Sequence, residues 1–89
     1  MKVYWKNHPK GLNLILQTDE MEEVNIGGVR SMPSGIQAIA VTRGYDPGRA
    51  MKGITTLEES KNFVESFRPW ELFGSDDGVT VDPEVRPEV

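Results

Sequence analysis

Residues 56–69 read TLEESKNFVESFRP, and the fold turns on this stretch. A threonine followed three residues later by a glutamate is a capping box, in which Thr56 accepts from the third-residue amide and Glu59 reaches back. Leu57, Val64 and Phe67, with Phe63 alongside, then fall on one side of a 3.6-residue period. Pro69 cannot continue the ladder, and the residue before a proline avoids helical angles, so the helix is expected over about 57–68. An apolar stripe of this kind must be covered, and the rest of the chain offers only strands to cover it.

Four strand patterns precede it. Residues 2–6 (KVYWK) alternate polar and apolar, and residues 12–17 (LNLILQ) follow a turn built on Pro9 and Gly11. Residues 24–32 (VNIGGVRSM) alternate again but are interrupted by Gly27 and Gly28, a sign of a bulge or of close backbone approach. Residues 36–43 (IQAIAVTR) are apolar on both faces and read as a central strand. Residues 69–74 (PWELFG) fit a single helical turn that packs Trp70 and Phe73 back on the sheet, and residues 79–81 fit an edge strand. The expectation is therefore an α+β domain of two layers. An antiparallel sheet of three to five strands would carry one main helix, about 57–68, on one face. Residues 1–74 would form the domain and residues 75–89 an acidic tail.

At 89 residues and 10.0 kDa there is room for one core. No apolar run reaches the roughly 18 residues that span a bilayer, and no secretory segment is read at the first residues. A cytoplasmic protein is the expectation. The chain has no cysteine and one histidine, which leaves no disulfide, thiol nucleophile or Cys-type zinc site. The net charge of −4 is uneven. Residues 1–74 hold nine Lys/Arg and nine Asp/Glu, whereas residues 75–89 hold five acids and one arginine. Within the body, residues 57–74 carry four acids against two bases, so the helix and the tail form an acidic half.

Catalytic chemistry finds little support. His8 sits in a turn and pairs with no serine in a recognisable pattern. Residues 27–31 (GGVRS) suggest a phosphate cradle but lack the lysine ending and following helix of a P-loop, so the glycines read as backbone geometry. The acidic runs 19–23 and 76–84 do not keep calcium-loop spacing, and no metal or other cofactor is expected. Glu58 and Glu59 are explained by the helix dipole.

Binding remains. The favoured expectation is a non-catalytic module acting through protein–protein contact, an inhibitor or accessory subunit whose acidic half meets a basic surface. Glu65, Trp70, Glu71, Asp76 and Asp77 are its candidate residues, combining acids with an aromatic anchor. The alternative is a single-stranded nucleic-acid binder. In a strand, Lys2, Tyr4 and Lys6 share a face that could stack a base and neutralise phosphates, with Arg43 extending the patch. An unpaired edge strand would also permit a homodimer.

Overall fold

The computed structural model describes residues 2–41, 46–73, 79 and 81–87, apart from the side chain of Pro83. Six strands form one sheet: β1 (Lys2–His8), β2 (Gly11–Gln17), β3 (Glu23–Met32), β4 (Gly35–Ala40), β5 (Ala50–Ile54) and β6 (Val81–Arg86). The helix α1 (Leu57–Ser66) lies between β5 and β6 in the chain, and 3-10 turns cover Pro47–Arg49 and Pro69–Phe73. The α+β architecture with one main helix on a sheet face is thus present.

The sheet is larger than expected and mixed rather than antiparallel. Its order is β5-β4-β3-β2-β1-β6, with β1 to β5 joined antiparallel in sequence and β6 parallel to β1. Two strands account for the difference. Residues 50–54 (AMKGI) show little alternation, and their burial is confined to Ile54, as befits a short edge strand. Residues 81–86 lie in the segment expected to be a tail and overlap the expected edge strand, 79–81, only at Val81. They reach β1 because α1 and the turn after it carry the chain back across the sheet. β4, expected to be central, is second from the edge, and its Ile39 is 53% exposed. Both sheet edges are poor templates for further pairing. β5 is five residues long and irregular in register, and β6 contains Pro83, which has no N–H to donate.

The core lies between the sheet and α1. Val3, Trp5, Leu12, Leu14, Leu16, Ile26, Val29, Ala38 and Ala40 meet Val64 and Trp70 there. Each large apolar side chain buried this way contributes roughly 1.5–3 kcal/mol. The inward line of the helix differs from the expected stripe. Leu57 is 46% exposed, while Ser60, one turn before Val64, is fully buried. Ser60 can sit there because its hydroxyl donates to the Thr56 carbonyl at 2.9 Å, leaving no orphaned polar atom.

The adjacent glycines in β3 mark a bulge. Leu14 pairs with Gly27 and Ile15 with Asn25, so Ile26 has no partner in β2. Ile26 and Gly27 both turn to the helix side. A Cβ on Gly27 would stand 2.7 Å from Val64 Cγ1, so its absence lets α1 settle close to the sheet.

Candidate functional site

The helix begins where its cap dictates. Thr56 is extended and its hydroxyl accepts from the Glu59 N–H at 3.1 Å. The reciprocal bond from the Glu59 side chain is not formed, and Glu59 is exposed. From this start, Glu58, Lys61, Asn62 and Glu65 fall at i, i+3, i+4 and i+7, which places them on one side of the helix. That side overlooks the end of the sheet where β6 joins β1. A cleft of about 350 Å³ forms there, lined by Trp5, Glu58, Lys61, Asn62, Glu65 and Asp82, with Val81.

The lining is held in place. Trp5, 1% exposed, donates its indole N–H to Glu65 Oε2 at 3.0 Å, and the Lys61 ammonium stands 6.0 Å from the Trp5 ring centroid. Asp82 accepts from the Glu84 N–H at 2.9 Å and pairs with Arg86 at 3.7 Å. Glu58 and Glu65 line the helix side of the cleft beside Lys61, whereas the Asp82 carboxylate is turned to Arg86. Among the described residues no group of three or more His, Asp or Glu is disposed to hold a metal ion.

The residues expected for protein contact separate. Glu65 enters the cleft. Glu71 is exposed and pairs with Arg68 instead. Trp70 is 4% exposed and belongs to the core, with the Arg68 guanidinium 5.7 Å from its ring centroid. Its indole N–H finds no acceptor among the described residues. Asp76 and Asp77 lie outside the described residues. Glu58 and Lys61 could have been found from their helical spacing; Asp82 could not, because it arrives from a strand 17 or more residues further along the chain.

Of the residues expected for nucleic-acid contact, Lys2, Tyr4 and Lys6 lie on the helix-free face, but not as an open platform. Lys2 is exposed, whereas Tyr4 is 2% exposed. The Tyr4 hydroxyl donates to Glu23, which also pairs with Lys6 at 3.2 Å, and the Arg86 guanidinium covers the Tyr4 ring at 3.8 Å from its centroid. A base has no access to that ring in this arrangement. Burial first, and then the Glu23 carboxylate, push the Tyr4 phenol up to about 12. The same hydrogen bond from Tyr4, followed by the one from Lys6, holds Glu23 below the ordinary carboxylate value. Arg43 lies outside the described residues. His8 sits at the β1–β2 turn, where Nδ1 accepts from the Lys10 N–H at 3.1 Å.

Compared with known protein families, with curated proteins and with solved structures, the chain matches none. Among the described residues no helix is long and apolar enough to cross a membrane.

Proposed function

We propose that this chain is a non-catalytic binding module that acts through protein–protein contact, offering an acidic surface to a basic partner in the manner of an inhibitor or accessory subunit. The observation that supports this reading is the cleft between α1 and β6, whose helix side carries Glu58 and Glu65 and whose strand side is Val81 and Asp82. The helix acids make a local negative field at this surface. Such a field speeds encounter with a cationic surface and selects against acidic ones.

The charges of the helix-free face sharpen the expectation. Lys2, Lys6 and Arg86 lie there with Glu23 and Asp82, whereas Glu58 and Glu65 flank Lys61 on the helix side, so the two faces present different charge patterns. Binding should therefore be polar in direction. The test is affinity capture from the native host on immobilised full chain, at two salt concentrations, with two charge reversals compared. Glu58→Lys reverses a cleft acid that makes no tertiary hydrogen bond, and Lys2→Glu reverses an exposed charge on the far side. A protein retained at low salt, released at high salt, lost with Glu58→Lys and kept with Lys2→Glu supports the reading. Equal retention by both variants would refute it, and a captured nucleic acid would replace it.

A further inference from the structure

The helix-free face of the sheet holds a feature that the acidic cleft does not use. Arg30 lies half-buried in β3, with Nη1 donating to the carbonyls of Leu12 at 3.0 Å and Val29 at 2.9 Å, and Nη2 donating to Asn13 Oδ1 at 2.7 Å. These bonds occupy three of the five N–H donors of a guanidinium and leave two. Every acceptor is neutral. Arg49, Arg68 and Arg86 reach Asp46, Glu71 and Asp82, whereas Arg30 reaches no carboxylate among the described residues. A partly desolvated cation without a counter-charge is an unfavourable arrangement that an anion would relieve.

The site is shaped by a missing side chain. A Cβ on Gly28 would lie 3.1 Å from Arg30 Nη1 and 3.3 Å from Asn13 Oδ1, so glycine lets the guanidinium lie down on the sheet. Gly28 pairs with Ile39 and Arg30 with Gln37 across β3 and β4. The result is a groove of about 330 Å³ lined by Asn25, Gly28, Arg30, Gln37, Ile39 and Val41. This sits at the small end of the roughly 300–1,000 Å³ range of small-molecule sites, which combine apolar walls with a few fixed polar groups.

We propose that this groove binds a small organic carboxylate. The carboxylate meets the fixed Arg30 fork, the apolar body lies along Ile39 and Val41, and the carboxamides of Asn25 and Gln37 set its orientation. An apolar wall beside the cation favours this class over inorganic phosphate. Arg30 is already restrained by three bonds, so little side-chain freedom is lost on binding. The proposal is independent of the protein-contact reading, since it concerns the opposite face of the sheet.

The test is a titration of the isotopically labelled full chain with hexanoate and benzoate, followed by amide and guanidinium N–H shifts, with hexanamide and inorganic phosphate as comparison probes. Saturable shifts at Gly28, Arg30 and Ile39 with the carboxylates, and none with hexanamide, are expected. Arg30→Gln should weaken binding about tenfold or more. Ile39→Glu alters an exposed side chain, leaves the core untouched and should also abolish binding. The absence of saturable shifts would overturn the proposal, as would an equal response to hexanamide, stronger binding of phosphate, or unchanged binding in Ile39→Glu.

Discussion

Trp5 and Glu65, sixty positions apart in the chain, are joined by a 3.0 Å hydrogen bond from the indole to the carboxylate. This bond ties the N-terminal strand to a helix whose other sheet contacts are chiefly with β4, β3 and β5. Removing the acceptor leaves a buried donor unpaired, which costs about 1–3 kcal/mol. Glu65→Ala should therefore destabilise the fold by about 1–2 kcal/mol, whereas Glu65→Gln keeps an acceptor oxygen and should stay within about 0.5 kcal/mol. Urea midpoints of the two variants check this, and equal losses would show that the bond carries no stability.

Gly27 and Val64 are in closer relation still. A methyl group on Gly27 would stand 2.7 Å from Val64 Cγ1 and 3.1 Å from the Ile39 carbonyl. Overpacking of this kind costs about 1–3 kcal/mol. Gly27→Ala should fall in that range, and the double variant with Val64→Ala should be more stable than the sum of the two single losses predicts. A double-mutant cycle by chemical denaturation measures the coupling. Strict additivity would mean that the helix shifts freely.

The cap of α1 provides a local test. Thr56→Ala loses the acceptor for the Glu59 N–H and should cost about 1 kcal/mol, while Thr56→Ser should cost much less. Thermal melts followed by circular dichroism distinguish these outcomes.

Tyr4 gives stability an alkaline dependence. Its phenol ionises at 10.0 when unperturbed and at about 12 in the fold. Between those values the unfolded chain has lost a proton that the folded chain keeps, so stability is full below pH 10.0 and declines as the pH rises towards about 12. Glu23 acts oppositely. Its folded value is depressed, so its contribution is present above the ordinary carboxylate range and is lost as the pH falls through the lowered value. A tyrosinate absorbance titration should show one of the two tyrosines ionising late, and Tyr4→Phe should remove that late step together with the alkaline decline.

The local signals were legible in the sequence. Capping, the proline stop near Arg68 and the turn at Pro9 all announce themselves through neighbours one to four residues away. Long-range pairing was not. Residues 81–86 carry a proline and two acids, and only the vacant flank of β1 turns them into a strand. Phe63 and Val64 read as inward-facing and are packed into or against the core, but Leu57 does not, because Ser60 shares their line once its hydroxyl is satisfied by the helix backbone. The same limit applies to the surfaces. The Glu58–Glu65 spacing was readable, while the seating of Val81 and Asp82 along their cleft, and the cover that Arg86 lays over Tyr4, depend on where β6 lands.

The parallel seating of β6 against β1 bears on how the molecule comes into being. β1 is flanked on its outer side by β6, so that row of amides and carbonyls stays unpaired until residues near position 86 arrive. The antiparallel meander can close progressively through short hairpins, but this final seam spans nearly the whole chain and is entropically the slowest to form. Until it does, the outer edge of β1 stays open, and that is where a partly folded chain would pair wrongly with another strand.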